Sequence, residues 1–480
     1  MKSMLKASDV NTANTINRKG LKMSKITEIV SKQKEYFLTG ATRPYQARLA
    51  NLKKLEKSVK THEAELLDAL KQDLNKSDYE SYLTEIGIAL EEIRYHKKHL
   101  KKWMKKKKIS SSLSHFPSKG YSMPEPYGVV LIASPWNYPL NMCFQALLGA
   151  ISAGNCAVIK PSAYAAATSK AIVRLISDTF DPEYVTVVEG GRAENQELFK
   201  QKFDYIFFTG SVSVGKTVMK EASENLVPVT LELGGKSPVI IDETADLKHT
   251  AKRVAFGKIL NAGQTCIAPD YVLIKDSVRD DFIKEFSKAV EEFFKEEDIS
   301  TMPVIINEKH FNRLSNFLTQ GTLKVGGKTD PERRFIEPTL LTDVSPESEL
   351  MTDEIFGPIL PVLTYSTLDE CIGFILSRPK PLALYLFTKD KNTINRVMGS
   401  CSFGGGCVND VIMHVSSATM PFGGVGNSGM GSYHGRQSFE TFTHRRSVLV
   451  NKSRFEMFLR YHPYKPVKYK ILRRYLGHEK

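Results

Sequence analysis

Three residue types capable of acyl chemistry lie beside predicted strands of the sequence. Cys266 follows a small-residue turn, NAGQT (261–265), where a substrate can approach its sulfur. Glu232 lies at the end of an apolar strand and before two glycines, where partial desolvation suits a carboxylate to act as a base. Asn137 follows another strand, and its neutral amide can donate hydrogen bonds to an oxyanion. Together the three predict thioester chemistry.

Taken singly, each of these signals also has a structural interpretation. The chain has six cysteines, and a cysteine is more often a small buried hydrophobe than a catalyst. An acid at a strand end is more often a surface or capping group. The prediction therefore depends on the three residues occurring together.

Two stretches match nucleotide-binding patterns. GSVSVGKT (210–217) matches the P-loop and lies between an apolar strand and a predicted helix, as that pattern requires. A P-loop enzyme also needs an acid on a neighbouring strand to hold magnesium, and the sequence offers no clear candidate. GVGNSG (424–429) matches a dinucleotide fingerprint, but it follows no strand and opens no convincing helix. We therefore expect no cofactor at the second stretch.

The elements that must position these residues alternate between strands and helices. Residues 26–108 have the apolar period of amphipathic helices. Nearly continuous apolar strands then alternate with helices up to about residue 231, which indicates a parallel sheet covered on both faces. A second α/β region continues to about residue 424. The predicted fold class is α/β, with a Rossmann-type doubly wound nucleotide-binding domain.

Composition excludes several classes of protein. The chain is 41% hydrophobic and 25% charged, as an ordinary soluble protein is, and no apolar run is long enough to span a bilayer. The cysteines form neither a disulfide framework nor a zinc pattern, so we predict no metal site and a cytoplasmic location. The net charge of +14 includes the lysine run 97–108, but no nucleic-acid module accompanies it. We therefore predict no nucleic-acid binding.

Six motifs occur in the order typical of one enzyme family. They are PWNYP, FTGSVSVGK, ELGGKSP, GQTC, EIFGPILPV and PFGGVGNSGMGSYHGRQSFETFTHRRSVL. With these motifs, residues 26–465 resemble the aldehyde dehydrogenase superfamily, specifically its shorter class 3 or fatty-aldehyde type. The resemblance implies NAD(P)-dependent oxidation of medium or long aliphatic, or aromatic, aldehydes to carboxylic acids. By the same resemblance, the match of Lys216 and Thr217 to the P-loop is a coincidence.

The resemblance also implies roles for individual residues. Cys266 would form a thiohemiacetal and then a thioester, Asn137 would hold the oxyanion, and Glu232 would activate water. The implied cofactor contacts are Trp136, Lys160, Ser162, Gly210, Ser211, Gly215, Leu233, Glu354 and Phe356. Tyr138 and His414 are candidates for the wall of the substrate tunnel, with a packed histidine as the alternative for His414.

Ala163 bears on the choice of cofactor. It stands where the family has a glutamate that binds the adenosine ribose hydroxyls. A carboxylate there would repel a 2′-phosphate, so its absence removes a barrier to NADP. We therefore predict that both NAD and NADP are accepted.

The predicted domains follow from the resemblance together with the pattern of elements. They are a flexible tail (1–25), an NAD(P)-binding domain (26–108 and 127–231), a catalytic domain (232–424), a small β oligomerisation element (109–126 and 425–446) and a basic C-terminal tail (447–480). We expect a homodimer. The basic tail would lie over the partner subunit or contact an anionic membrane surface.

Three other functions remain open at this point. A CoA-acylating aldehyde dehydrogenase would share Cys266 and Asn137 but normally lacks a base such as Glu232. A P-loop phosphotransferase would use the stretch 210–217. A basic nucleic-acid-binding protein would need no catalytic residue at all.

Overall fold

The computed structural model describes residues 24–110, 118–451 and 458–477. The predicted N-terminal tail lies outside these ranges, apart from its last two residues. Ser24 caps the first helix, since its hydroxyl accepts a hydrogen bond from the Thr27 N–H at 3.1 Å. Across the described residues, no helix is both long and apolar enough to cross a bilayer.

Helices and strands are numbered along the chain. The α-helices are α1 Lys25–Leu38, α2 Tyr45–Thr61, α3 Glu63–Leu74, α4 Asp78–Ser81, α5 Gly87–Trp103, α6 Pro139–Ala153, α7 Ala166–Thr179, α8 Arg192–Phe199, α9 Val212–Ser223, α10 Leu247–Ile259, α11 Arg279–Phe293, α12 Glu308–Phe317, α13 Glu349–Thr352, α14 Leu368–Leu376, α15 Lys391–Ser400, α16 Arg436–Thr441 and α17 Pro466–Leu476. A π-helical turn, Tyr82–Ile86, joins α4 to α5.

The strands are β1 Lys107–Ile109, β2 Lys119–Pro126, β3 Val129–Ala133, β4 Cys156–Lys160, β5 Val185–Val187, β6 Tyr205–Gly210, β7 Val229–Leu233, β8 Pro238–Ile241, β9 Tyr271–Lys275, β10 Thr322–Val325, β11 Thr329–Asp330, β12 Phe335–Ile336, β13 Thr339–Thr342, β14 Ile359–Tyr365, β15 Ala383–Phe387, β16 Gly405–Val408, β17 Gly429–Met430 and β18 Thr443–Val450.

The first sheet has the order β17-β7-β6-β3-β4-β5 among the described residues. Its strands are parallel from β7 to β5, and Val130 of β3 lies opposite Ala157 of β4 and Tyr205 of β6. Every residue of β3 and β4 is buried, because helices such as α1 and α6 pack against these strands. The predicted α/β fold with a doubly wound sheet is confirmed.

The second sheet has the order β10-β13-β14-β9-β8-β15-β16 in the part of the chain that the structure describes. Its strands are parallel from β13 to β16, and β10 joins β13 in the antiparallel direction. Strands β8, β15 and β9 are apolar and almost wholly buried, as their sequences predict.

A small antiparallel sheet, β1-β2-β18, lies apart from these two. β18 pairs with β2 along its whole length, from Thr443 opposite Pro126 to Val450 opposite Lys119. This sheet contains residues of the predicted oligomerisation element, but β18 continues beyond residue 446. Gly429 and Met430 instead pair with β7 of the first sheet.

The sheet topology determines where the candidate residues meet. Strands β3, β6 and β7 are parallel, so their carboxyl ends lie at one edge of the first sheet. Asn137 follows β3, Ser211 follows β6 and Glu232 belongs to the end of β7. Cys266 comes from the turn before β9 of the second sheet. A crevice at the carboxyl ends of parallel strands is where open α/β sheets bind ligands.

Candidate active site

A cavity of about 1170 Å³ opens at this edge of the first sheet. Ten of the residues predicted from the sequence line it. They are Trp136, Asn137, Tyr138, Gly210, Ser211, Glu232, Leu233, Cys266, Glu354 and Phe356. Lys160, Ser162, Gly215 and His414 are not among the lining residues.

Cys266 follows a tight turn built from left-handed backbone. Asn261, Ala262 and Gly263 have φ values of 50°, 52° and 69°. The sulfur-bearing side chain faces the cavity and remains partly accessible. Burial, followed by the nearby carboxyl groups of Glu354 and Glu232, raises the pKa of the Cys266 thiol. The resting side chain is therefore a neutral thiol.

Glu232 is buried against the cavity wall. Its side chain is 3% exposed, and neither carboxyl oxygen has a hydrogen-bond partner among the described residues. Burial raises the pKa of Glu232 well above its ordinary value of 4.5. Once ionised, a carboxylate with two unused oxygens beside a cavity is chemically suited to bind and deprotonate a water molecule, so the raised pKa requires that Glu232 lose its own proton first.

Asn137 is held by the turn that carries the cysteine. Its Nδ2 donates a hydrogen bond to the Gln264 carbonyl oxygen at 3.0 Å. That bond uses one of the two N–H groups of the amide, so one donor is left for the cavity. Tyr138 forms a second link between the same loops, since its hydroxyl lies 2.6 Å from the Thr265 hydroxyl.

The stretch 210–217 forms the start of α9. The Ser211 hydroxyl caps this helix by accepting a hydrogen bond from the Val214 N–H at 3.4 Å. The helix N-terminus lines the cavity, where backbone N–H groups and the helix dipole favour phosphate. The Thr217 hydroxyl donates to the Ser213 carbonyl at 3.3 Å within the helix. A magnesium-binding role, which the P-loop interpretation requires of that threonine, has no support in this geometry.

Gly215 acts through packing rather than as part of the cavity wall. A side chain there would place its Cβ 2.6 Å from Leu233 Cδ2, so glycine allows α9 to lie closely against β7. In this way it helps to position Leu233, which does line the cavity.

Glu354 lies at the same end of the cavity as Leu233. A Cβ on Gly234 would approach its Oε2 to 2.0 Å, so the carboxyl group lies directly against the β7 strand end. Burial, and next the charge of Asp270, raises the pKa of Glu354 to about 8. Its Oε1 has no partner among the described residues, so it is available to a ligand hydroxyl.

Aromatic rings complete this part of the wall. The rings of Trp136 and Phe356 meet edge to face, with centroids 5.3 Å apart, and His310 approaches Trp136 at 5.5 Å. The sequence interpretation missed His310, because nothing in its local sequence distinguishes it from an ordinary helix residue.

Lys160 and Ser162 lie beside the cavity rather than on its wall. The buried Lys160 Nζ donates to the carbonyl oxygens of Gly190 at 2.7 Å and Pro161 at 2.8 Å. Ser162 Oγ accepts from the Tyr164 N–H at 3.3 Å. Tyr164 itself lines the cavity and was not identified from the sequence.

His414 is a packed side chain. Its Nδ1 lies 3.5 Å from Cys407 Sγ, and its ring packs against Tyr385 and Phe422. Burial lowers the pKa of His414 to about 4, so the imidazole is neutral at physiological pH. The structure thus places His414 outside the tunnel wall and matches the alternative of a packed histidine.

The second glycine pattern, 424–429, opens no helix. The Ser428 carbonyl accepts a hydrogen bond from the Leu233 N–H at 3.0 Å, and the Ser428 hydroxyl accepts one from the Val425 N–H at 2.9 Å. The segment therefore supports the end of β7, and it lacks the helix N-terminus that a dinucleotide fingerprint requires.

Comparison with known proteins identifies the class to which this fold and cavity belong. The family model for the aldehyde dehydrogenase family matches residues 7–448. The chain belongs to the aldehyde dehydrogenase family and is an NAD(P)-dependent oxidoreductase acting on aldehydes.

Individual relatives cover nearly the whole chain. It is 51% identical to the 4,4'-diaponeurosporen-aldehyde dehydrogenase of Staphylococcus aureus over 90% of this chain and 95% of that protein. It is 43% identical to a dimeric NADP-preferring aldehyde dehydrogenase of Canis lupus familiaris, over 89% of this chain and 95% of that protein. A substrate-bound structure of Staphylococcus aureus AldH superposes with a TM-score of 0.92, at 49% identity, over 95% of this chain and 100% of that one.

The residues of this chain fit the dinucleotide that the family implies. The N-terminus of α9 supplies donors suited to a pyrophosphate, and the orphaned Glu354 Oε1 supplies an acceptor suited to a ribose hydroxyl. Both groups belong to the same cavity as Cys266.

Proposed function

We propose that the chain oxidises aldehydes to free carboxylic acids through a covalent intermediate on Cys266. The observation that carries this proposal is the convergence of Cys266, Glu232 and Asn137 on one cavity, where neither oxygen of Glu232 has a hydrogen-bond partner in the described part of the chain. A CoA-acylating enzyme would need no water-activating base there.

In the proposed mechanism, the Cys266 thiol first loses its proton to solvent, and the resulting thiolate attacks the aldehyde carbonyl to form a thiohemiacetal. The free N–H of the Asn137 amide and the Cys266 backbone N–H stabilise its oxyanion. A nicotinamide cofactor held in this cavity would supply the two-electron acceptor that the oxidation to a thioester requires. Glu232 then accepts a proton from water as the water attacks the thioester, and collapse of the tetrahedral adduct releases the carboxylic acid and regenerates the thiolate.

We propose medium or long aliphatic, or aromatic, aldehydes as substrates. Apolar side chains from the π-helical turn, α5, α6 and the segment 412–422 line part of the cavity. They include Leu83, Ile88, Met142, Met413 and Phe422. Leu83 and Met413 are about half exposed, at 47% and 50%, which suits the mouth of an apolar channel. The staphylococcal relative is named a 4,4'-diaponeurosporen-aldehyde dehydrogenase, which supports an aldehyde substrate for this cavity.

We propose that NAD and NADP are both accepted. Ala163 presents no carboxylate to a 2′-phosphate, and the NADP preference in the name of the canine relative supports the same conclusion. The domain boundaries predicted from the sequence, with 26–108 and 127–231 as the NAD(P)-binding domain and 232–424 as the catalytic domain, form part of this proposal.

We propose a homodimer formed through the small sheet β1-β2-β18. This sheet has free edges at β1 and β18 among the described residues, and the canine relative is named dimeric. Sedimentation analysis of the chain would test the dimer, and a monomer at micromolar concentration would contradict it.

We also propose peripheral contact of the basic tail with anionic membranes. Residues 458–477 contain six lysines and arginines and no acid, and several aromatic side chains there are exposed. Sedimentation with vesicles would test the contact. Equal binding to anionic and neutral vesicles would contradict it.

The decisive experiment follows formation of reduced cofactor by absorbance with a panel of aldehydes, on wild type and Cys266→Ala. Aldehyde-dependent reduction that disappears in the variant supports the covalent route. Product analysis with and without CoA separates the free acid from a CoA thioester. Full activity in Cys266→Ala would refute the proposed nucleophile.

A further inference from the structure

A buried ion pair lies behind the candidate oxyanion site. Lys76, which follows α3, and Glu85, in the π-helical turn before α5, are both fully buried. Lys76 Nζ lies 2.5 Å from Glu85 Oε1. The sequence interpretation assigned neither residue a role, because lysine and glutamate in a helical region are normally surface residues.

Lys76 contacts the backbone of the oxyanion loop directly. Its Nζ donates a second hydrogen bond to the Asn137 carbonyl oxygen at 3.1 Å and lies 4.1 Å from the ring centroid of Tyr138. The Asn261 side chain donates to the same carbonyl at 2.8 Å. The Asn137 carbonyl oxygen is therefore held by two side-chain donors.

Glu85 contacts the other end of the same loop. Its Oε2 accepts hydrogen bonds from the backbone N–H groups of Leu140 at 2.9 Å and Asn141 at 3.2 Å. These groups belong to the first turn of α6, where unpaired N–H donors and the helix dipole favour a carboxylate. The ion pair thus joins two points of the loop, one at Asn137 and one at the start of α6.

A contribution to folding stability is a weak explanation for the buried Lys76–Glu85 pair. The desolvation of two fully buried charges offsets most of their attraction, and apolar replacements of similar volume are often as stable. An oxyanion donor, in contrast, needs accurate placement, since a misplacement of about 1 Å can cost about hundredfold in rate.

We propose that Lys76 and Glu85 are positioning residues that hold the Asn137 amide in its oxyanion-binding orientation. This inference rests on the proposed function, because it assumes that Asn137 binds the oxyanion. Neither side chain lines the cavity, so each acts through the loop that it holds.

A double-mutant cycle tests the inference. The variants are Lys76→Met, Asn137→Ala and their combination, with kcat and KM measured for aldehyde and the Kd measured for NAD. We expect Lys76→Met to lower kcat by about tenfold to hundredfold while the Kd for NAD stays within about twofold. In the Asn137→Ala background, the same change should lower kcat by less than about threefold, because the group that it positions is already absent.

Two further variants separate positioning from folding. Arg48→Met removes another buried cation, which donates to the carbonyl oxygens of Thr42 and Ser152 and lies outside the cavity. It should lower thermal stability without lowering kcat. If Lys76→Met does not fold, the paired change Lys76→Met with Glu85→Met leaves no lone buried charge and replaces it in the cycle.

The outcomes distinguish the oxyanion role of Asn137 from the positioning role of Lys76. Full activity in Asn137→Ala would overturn the proposed oxyanion role and the positioning role with it. A large loss in Asn137→Ala, together with an equal loss from Lys76→Met in both backgrounds, would overturn the positioning role alone. An unchanged kcat in Lys76→Met would do the same.

Discussion

Replacement of Glu232 by glutamine is expected to stabilise the protein increasingly as the pH rises. The carboxyl group is buried without a hydrogen-bond partner among the described residues, and burial raises its pKa well above 4.5. In the folded protein it therefore keeps its proton at pH values where the unfolded chain has lost that proton. Glutamine is uncharged in both states and has nearly the same shape.

The sign and size of the effect follow from proton linkage. A carboxyl group with a raised folded pKa contributes its stability fully below the unfolded pKa and loses it as the pH rises toward the folded pKa. In that window the unfolded state binds one proton fewer than the folded state, so wild type loses about 1.4 kcal/mol of unfolding free energy per pH unit through Glu232. The Glu232→Gln variant does not have this loss.

Urea unfolding of both proteins at about pH 6 and about pH 7 measures the difference. We expect the advantage of Glu232→Gln to grow across that interval, by at most about 1.4 kcal/mol. Glu224→Gln, a change at an exposed glutamate, is the matched control and should show the same difference at both pH values. An advantage of Glu232→Gln that does not change with pH would mean that the folded protein carries Glu232 ionised, which would refute the argument from burial.

Four other outcomes are expected. Because burial raises the pKa values of both Cys266 and Glu232, kcat/KM for aldehyde should rise as the pH increases from about 6 to about 9; a flat profile would contradict this. Ala163→Glu should lower kcat/KM for NADP by about tenfold or more and spare NAD, and an unchanged ratio of the two cofactor rates would count against the 2′-phosphate argument. Leu83→Trp should raise KM for long aldehydes more than for short ones in steady-state assays, since Leu83 lines the cavity at its exposed end; equal effects would argue against that entry route. His414→Phe should keep kcat within about twofold, because His414 packs outside the cavity wall, and a large loss of turnover would show that its imidazole takes part in the reaction.

Much of the fold was predictable because its strands are locally distinctive. The apolar stretches around β3, β4, β6 and β9 are short, continuous and separated by helical periods, which is the pattern of a covered parallel sheet. β18 was harder to predict. Its consecutive basic residues, His444, Arg445 and Arg446, resemble a solvated segment, and its pairing with β2 joins positions more than three hundred residues apart.

The catalytic residues of the candidate site could be predicted because they lie within recognisable motifs. The residues that support them through contacts distant in sequence could not. Cys266, Glu232 and Asn137 stand in recognisable surroundings in the sequence. Lys76 lies 61 residues from Asn137, and only the folded chain brings the Lys76 Nζ to the Asn137 carbonyl oxygen. A lysine among polar residues gives no local sign that it is fully buried.

The left-handed turn before Cys266 has a consequence for adapting this protein to new conditions. Ala262 is not a glycine, and it gives up roughly 1–2 kcal/mol to hold a positive φ. Ala262→Gly would relieve part of that strain, so a search for heat-resistant variants is expected to find it. The same substitution would let the turn before Cys266 adopt other backbone conformations. At this turn, a substitution that raises thermal stability is therefore expected to lower kcat, because it makes the position of Cys266 less well defined.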